Sequence, residues 1–160
     1  MMEKITSFTI DHTRLLRGIY VSRKDPVGNE TVTTFDIRMK EPNKEPVIDV
    51  PALHTIEHLG ATFLRNHQQW SEKMIYFGPM GCRTGVYAVF AGNLNSKEIA
   101  PLMKEMYEYI AGYDEEIPGA SAVECGNYLC QDLPMAQWEA RKFVDEVLND
   151  LKEKNMVYPK

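Results

Sequence analysis

Apolar residues, many of them β-branched or aromatic, fall in two runs near the start of the chain. The runs are GIYVSRKD (18–25) and ETVTTFDIRM (30–39), and both are typical of strands. PVGN (26–29) lies between them and predicts a hairpin turn. The segment EPNKEP (41–46) then ends the pattern, because its two prolines cannot sit inside a sheet.

A helix is predicted from Pro51 to about Gln68. Proline suits the first position of a helix, where its missing N–H costs nothing. Apolar residues surround much of this helix, so we expect it to be buried and to lie at the centre of the fold. They are Leu53, Ile56, Leu59, Phe63 and Leu64.

Two further strands are predicted by KMIYF (73–77) and GVYAVFAG (85–92), which the glycine-rich turn GPMGCRTG (78–85) joins. Residues 95–112 follow as an amphipathic helix. Asn95 or Ser96 can cap this helix, Glu98 completes a capping box with Asn95, and Gly112 can end it.

The last predicted helix runs from about Pro134 to Lys154 and follows a loop over residues 113–128. Its apolar face has helical spacing and consists of Trp138, Phe143, Val147 and Leu151. Strands and helices are mixed rather than strictly alternating. This order predicts an α+β fold in which an antiparallel sheet packs against helices. We expect one domain spanning residues 1–160.

The composition of the chain argues against several classes of binding partner and cellular location. The chain carries 18 Lys and Arg against 23 Asp and Glu, a net charge of −5, which argues against nucleic-acid and anionic-membrane partners. No apolar run approaches the roughly 20 residues of a membrane span, and the N-terminus has no signal-peptide pattern. Three cysteines are an odd number and too few for a disulfide scaffold. A reducing cytoplasm is therefore expected.

The stretch HTIEHLGATF (54–63) brings two histidines and a glutamate into one turn of an apolar helix. Residues four apart lie side by side on a helix, so His54 and His58 can bind one divalent metal. Glu57 leans toward the same place, where a carboxylate can bind metal or move protons. Burying these ionisable groups without a metal would be costly, so a metal site is favoured.

Cys125 is the strongest candidate for a third ligand, since ECGNY (124–128) is a polar, glycine-containing loop. Two imidazoles and one thiolate leave a coordination position open, as catalytic sites do. The other histidines are weaker candidates: His67 is expected to be a solvated residue near the end of the helix, and His12 could line the site or be structural. Cys130 is interpreted as a packing residue.

Cys82 lies between glycines in PMGCRTG (79–85), where a tight turn can bring the backbone close to a ligand. Arg83 beside it could favour the thiolate form. A cysteine that the turn merely tolerates is the alternative. Together with Glu57, a thiol here would provide two proton-transfer groups facing one substrate.

The helix motif alone leaves several functions open for the metal site. His-x-x-Glu-His is also the signature of inverzincin peptidases, which complete their site with a downstream glutamate; Glu124 stands at a tolerable spacing. Those peptidases are much larger, and they have no use for Cys82. Another reading is a non-catalytic metal-binding module, which would need a closed coordination sphere.

Five motifs occur in register along nearly the whole chain: SFTIDHT, FDIRMKEPN, HTIEHLGATFLRNH, PMGCRTGVY and ECGNY. By these motifs the chain resembles the S-ribosylhomocysteine lyase family, the LuxS-type autoinducer-2 synthases. The resemblance implies a cytoplasmic homodimer with an α+β fold and with identical active sites at the subunit interface. It implies cleavage of the thioether of S-ribosylhomocysteine into homocysteine and 4,5-dihydroxy-2,3-pentanedione, the autoinducer-2 precursor.

The resemblance also implies roles for single residues. The metal, ferrous iron with zinc or cobalt as substitutes, would number one per subunit. Its ligands would be His54, His58 and Cys125, with Cys82 and Glu57 as the acid–base pair that moves the carbonyl before β-elimination. The family's substrate contacts fall on Ser7, His12 and Arg38.

One segment departs from the family. Where the family usually has Asp-Ile-Ser, this chain has Tyr76, Phe77 and Gly78. An acidic side chain near the substrate is therefore missing, and its role could pass to Glu3 or Asp11. Altered recognition of the amino-acid half of the substrate is the expected consequence.

Overall fold

The computed structural model describes residues 1–160, and it contains one four-stranded sheet and three α-helices. The strands are β1 (Gly18–Val27), β2 (Glu30–Arg38), β3 (Met74–Pro79) and β4 (Gly85–Ala91); the helices are α1 (Val50–Asn66), α2 (Ser96–Ala111) and α3 (Leu133–Glu146). The sheet is antiparallel throughout, with the order β1-β2-β4-β3. The α+β prediction is therefore confirmed.

The first hairpin follows from its turn residues. Val27 pairs with Glu30, which leaves Gly28 and Asn29 as a two-residue turn. Gly28 has a φ of 60°, and glycine is the residue that adopts this conformation without strain. The predicted hairpin between β1 and β2 is therefore confirmed.

The core lies between one face of the sheet and the three helices. Phe35, Ile37 and Phe90 contribute buried side chains from the strands. α1 contacts β3, α2 and α3. It approaches β3 so closely that a Cβ atom on Gly60 would overlap the ring of Phe77. None of the helices combines the length and the apolar character that a membrane span requires.

The predicted limits of α2 are confirmed. The side chain of Asn95 accepts a hydrogen bond from the Glu98 amide at 3.0 Å, and the Asn95 amide donates to the Glu98 carboxylate at 2.8 Å. This reciprocal pair is the predicted capping box. Gly112 is the C-terminal cap.

The predicted extension of the last helix to Lys154 is wrong. α3 ends at Glu146, and two short 3₁₀ turns follow at Leu148–Asp150 and Glu153–Asn155. Val147 leaves helical geometry with a φ of −128°. Its branched side chain, together with Asn149 and Asp150, makes this segment a poor helix former. Val147 and Leu148 are nevertheless buried, so the apolar spacing marked core residues although the backbone there is not helical.

A buried ion pair fixes the segment that leads into α1. Lys40 Nζ lies 2.7 Å from one carboxylate oxygen of Glu139 and donates to the other at 2.9 Å. Their side chains are only 5% and 6% exposed. The aromatic face of Trp138 lies 5.4 Å from the same ammonium group. The pair therefore ties the segment between β2 and α1 to α3.

Lys40→Met is expected to lower the free energy of unfolding by about 3–5 kcal/mol, since it leaves Glu139 buried without a partner. Lys142→Met is the matched control. Its ammonium group also lies over Trp138, at 5.1 Å, but its nearest carboxylate is 3.8 Å away at Glu45. That control should cost no more than about 1 kcal/mol. Urea unfolding of both variants measures the difference, and equal stabilities would contradict the assignment.

Candidate metal centre and active site

The metal-ligand candidates on α1 face each other one helical turn apart. His54 Nε2 and His58 Nε2 are 3.0 Å apart, and the two rings are tilted by 81°. Cys125 Sγ lies 3.5 Å from His54 Nε2. The three donor atoms all lie within 4.8 Å of one another. The structure therefore brings His54, His58 and Cys125 together, as the sequence predicted.

Backbone carbonyls orient both imidazoles. His54 Nδ1 donates to the carbonyl oxygen of Cys130 at 2.5 Å, and His58 Nδ1 donates to that of Pro118 at 2.7 Å. A carbonyl only accepts, so in the neutral imidazoles each proton sits on Nδ1 and each Nε2 is left with a lone pair. Two lone pairs facing each other at 3.0 Å repel, and a cation bound between them would remove the repulsion.

The loop that carries these carbonyls is shaped to fit α1. Gly119, directly after Pro118, has a φ of 73°. A Cβ atom built on it would lie 3.2 Å from His58 Nδ1. Glycine is therefore required both for the backbone conformation and for the approach to the imidazole. These carbonyl contacts could not be predicted from the sequence, because they depend on backbone folding and not on side-chain type.

Cys125, and not Glu124, turns toward the histidines. The amides of both residues donate to the carbonyl oxygen of Ser121, at 3.0 and 3.1 Å, which fixes a tight turn. The carboxylate of Glu124 is exposed and accepts a hydrogen bond from Ser121 Oγ at 2.6 Å. Asn127 donates its amide to Cys125 Sγ at 3.4 Å. Two nitrogens and one sulfur fit a divalent metal such as iron, zinc or cobalt, with one position open.

Glu57 is half-buried on the same helix, and its carboxylate makes no hydrogen bond or ion pair within the chain. It precedes His58 directly and lies three residues after His54. A carboxylate that no other group engages is available to accept and release a proton.

The Cys82 turn is tied to the start of α1. The carbonyl oxygen of Arg83 accepts a hydrogen bond from the Ile48 amide at 3.0 Å. Arg83 has a φ of 61°, an unusual value for a residue with a side chain, and Cys82 is exposed. The guanidinium of Arg83 donates to the carbonyl of Ile48 at 3.4 Å and makes no hydrogen bond to Cys82. The structure therefore shows no hydrogen bond through which Arg83 could stabilise the thiolate form of Cys82.

A different arginine lies beside Cys82. Arg38 Nη1 is 3.9 Å from Cys82 Sγ and donates to Thr84 Oγ1 at 2.8 Å; Thr84 Oγ1 is 3.1 Å from the same sulfur. The register of the sheet explains this position, since Arg38 at the end of β2 pairs with Gly85 at the start of β4. A guanidinium at this distance attracts negative charge on sulfur. Thr84 was missed by the sequence analysis.

Arg38 is only 3% exposed, and its planar fork is already paired. Nε and Nη2 donate to the two carboxylate oxygens of Asp36 at 3.0 and 2.6 Å. Burial alone would lower the pKa of Arg38, but the adjacent Asp36 carboxylate outweighs burial and the pKa is raised. Arg38 thus has a partner of its own; direct contact with substrate stays a prediction.

The other predicted substrate contacts lie near the N-terminus. Ser7 belongs to a 3₁₀ turn, Thr6–Phe8, and lines a cavity of about 290 Å³ with Tyr76 and Tyr87. None of the three metal-ligand candidates lines this cavity within one chain. His12 is half-buried, and its Nδ1 lies 2.9 Å from the carbonyl oxygen of Ile10. The roles of both residues stay predictions.

In the segment that departs from the family, the side chains of Tyr76 and Phe77 both pack against other residues. A Cβ atom on Gly78 would overlap the hydroxyl end of Tyr76, so the tyrosine side chain lies across the glycine. Phe77 points to the other face, is buried and contacts α1. Asp11 is exposed, and the hydrogen bonds that it accepts from the hydroxyl and amide of Thr13 lower its pKa. Asp11 is therefore negatively charged at neutral pH.

His67 does not behave as a solvated terminus residue. Its side chain is 13% exposed, and its Nε2 lies 3.3 Å from the Glu105 carboxylate. It packs against Phe63. The prediction was wrong because it considered α1 alone, whereas Glu105 and Tyr109 of α2 lie against this end of the helix.

Comparison with known proteins gives a consistent result. A family model described as S-Ribosylhomocysteinase (LuxS) matches residues 5–154. A protein of Phocaeicola vulgatus is 60% identical over 158 residues, covering 99% of this chain and 98% of its own length. Proteins of Desulfotalea psychrophila and Clostridium beijerinckii are 59% and 55% identical, with 99% of each chain covered. All three relatives are named S-ribosylhomocysteine lyase.

Proposed function

The chain belongs to the S-ribosylhomocysteinase (LuxS) family, and from this premise we propose that it cleaves the thioether of S-ribosylhomocysteine at a metal centre formed by His54, His58 and Cys125. It is an enzyme of the carbon–sulfur lyase class. The observation that carries the proposal is the convergence of these three donors on α1 and the 121–125 turn. The products are homocysteine and 4,5-dihydroxy-2,3-pentanedione, the autoinducer-2 precursor used in quorum sensing.

The proposed reaction requires a series of proton transfers. A thioether at C5 of the sugar is a poor leaving group until an adjacent carbon can carry negative charge. A divalent ion held by His54, His58 and Cys125 would supply Lewis acidity that polarises a sugar carbonyl. Cys82 Sγ and the Glu57 carboxylate then remove a proton from one sugar carbon and return one to its neighbour, while a hydroxyl proton passes between the two attached oxygens. The carbonyl thereby moves from C1 to C2 and, in a second round, to C3.

Elimination follows once the carbonyl is at C3. The C4 proton is then acidic enough for one of these two groups to take. As it leaves, a C4–C5 double bond forms, the C5–S bond breaks, and homocysteine departs as a thiolate that takes up a proton. The enol that remains takes up a proton at C5 and loses its hydroxyl proton, which gives the dione product. Arg38 acts here by placing positive charge 3.9 Å from Cys82 Sγ. Ser7 and His12 are proposed to contact the substrate.

We propose that the working protein is a homodimer with one metal per subunit and active sites at the interface. The exposed apolar residues beside the Ser7 cavity support this, since Ile5, Phe8 and Tyr76 are 57%, 70% and 54% exposed. A second subunit covering them would complete a site that one chain leaves open. Ferrous iron, with zinc or cobalt as substitutes, suits the donor set. The free cysteines support a cytoplasmic location.

The direct test of this function is release of homocysteine from S-ribosylhomocysteine by iron-loaded protein under anaerobic conditions, followed with a thiol reagent. We expect release that depends on bound metal. A metal-loaded protein that releases none would refute the lyase assignment. The peptidase reading is not supported, since Glu124 turns away from the histidines.

Glu57→Gln is expected to lower kcat about 10²–10⁴-fold and to leave the metal bound, because the amide keeps the shape of the side chain but cannot exchange a proton. Steady-state kinetics together with metal analysis measure both effects. Glu72→Gln, at an exposed position outside the site, is the control and should behave like the unmodified protein. Activity within twofold of normal in Glu57→Gln would exclude Glu57 from proton transfer.

A further inference from the structure

The C-terminal segment after α3 returns across the beginning of β1. Asn155 Nδ2 donates to the carbonyl oxygen of Arg17 at 2.9 Å, and Tyr20 Oη lies 3.4 Å from that of Lys154. A Cβ atom on Gly18 would overlap the carbonyl oxygen of Asn155. The segment therefore docks at a position that the sequence of β1 is shaped to receive.

Tyr158 is the residue of this segment that contacts side chains of β1 and β2. Its ring stacks on Tyr20, with centroids 4.7 Å apart and planes tilted by only 9°. Its hydroxyl donates to Asp36 Oδ2 at 2.7 Å. Burial, followed by the charge on Asp36, raises the pKa of Tyr158, so the phenol keeps its proton and remains a donor. The last residue of the family match is 154, so Tyr158 lies outside it.

Asp36, which accepts this hydrogen bond, is linked to Cys82 Sγ through one residue, Arg38. Asp36 Oδ2 also accepts from Arg38 Nη2 at 2.6 Å, and Arg38 Nη1 is 3.9 Å from Cys82 Sγ. Asp36 and Arg38 are 1% and 3% exposed, so water has little access to either group. The orientation and charge balance of the pair therefore depend on the few protein groups that contact it.

We propose that Tyr158 is a positioning residue for Cys82, acting through Asp36 and Arg38. By donating to Asp36, its hydroxyl draws part of the carboxylate's negative charge away from Arg38. More of the guanidinium's positive charge then acts on Cys82 Sγ, and the fork is held in one orientation. The importance of this for catalysis rests on the proposed function; the effect on the sulfur does not.

Tyr158→Phe in the full-length, metal-loaded protein tests the inference. Phenylalanine keeps the stack on Tyr20 and removes only the hydrogen bond to Asp36. The rate of iodoacetamide alkylation at Cys82 is measured across pH by mass spectrometry of the peptide that contains it. In Tyr158→Phe this rate should begin to rise at a higher pH than in the unmodified protein. A displacement of about half a pH unit, or about threefold in rate near the midpoint, is expected. Homocysteine release should fall by a similar factor in kcat.

Tyr109→Phe is the matched control, since its hydroxyl makes no hydrogen bond and its ring packs on Phe63 and Tyr113. It should leave the alkylation profile unchanged. Tyr158→Leu removes the stack as well and should displace the profile at least as far as Tyr158→Phe. An unchanged Cys82 profile in both Tyr158 variants would overturn the inference. That result is independent of lyase activity, whose absence in the unmodified protein would instead refute the proposed function.

Discussion

Cys125→Ala is expected to strip the metal from the protein and to abolish homocysteine release. The substitution removes the only sulfur among the three donors and leaves a pair of imidazoles. Even a hydrogen-bonding partner of a ligand is worth about 10–100-fold in metal affinity, so loss of the ligand itself should cost more than about 100-fold. Elemental analysis after dialysis measures the metal content. In cobalt-loaded protein, the sulfur-to-metal charge-transfer band should also disappear.

Two variants separate this result from general damage. Cys130→Ala removes another half-buried thiol but keeps the backbone carbonyl that orients His54, so the metal should stay bound. Glu124→Ala should also keep the metal, because its carboxylate points to Ser121. Metal loss in Glu124→Ala together with retention in Cys125→Ala would favour the peptidase-like site over the one proposed here.

Cys82→Ala is expected to leave the metal content intact and to lower kcat for homocysteine release by about 10²–10⁴-fold. Cys82 is not among the grouped donors, so its removal should not weaken metal binding. The loss arises because one of the two groups that move protons between sugar carbons is missing. Stopped reactions followed with a thiol reagent measure the rate, and the cobalt charge-transfer band reports the state of the metal site.

The controls for Cys82 lie in the same turn and at another cysteine. Arg83→Ala should have little effect on kcat, since its guanidinium contacts Ile48 and not the sulfur. Cys130→Ala should retain activity. Normal turnover in Cys82→Ala would refute the acid–base role. A loss of metal in that variant would show that Cys82 supports the centre itself.

The elements that sequence predicted well are those set by local chemistry. The Gly28–Asn29 turn needs a glycine conformation, and the Asn95–Glu98 capping box joins groups three residues apart. Both depend on atoms that are neighbours along the chain. The helical spacing of His54 and His58 belongs to the same class, since an i, i+4 pair is adjacent on any helix.

The predictions that were wrong have a shared cause, because each was based on neighbouring residues in the sequence and not on contacts in the folded chain. The extension of α3 to Lys154 followed an apolar periodicity that the chain satisfies without remaining helical. Arg83 was considered as the partner of the thiolate because it adjoins Cys82 in sequence, whereas strand pairing places Arg38 next to the sulfur. His67 was judged from α1 alone.

By itself the sequence determined the fold class, the pair of imidazoles on one helix face and, through its motifs, the family. Only the tertiary structure decided which backbone carbonyls fix the imidazole protons, which arginine faces Cys82 and where Tyr158 docks. The reason is that each of these contacts joins residues more than 40 positions apart. Their energies depend on distance and burial in the folded chain, quantities that local residue patterns do not specify.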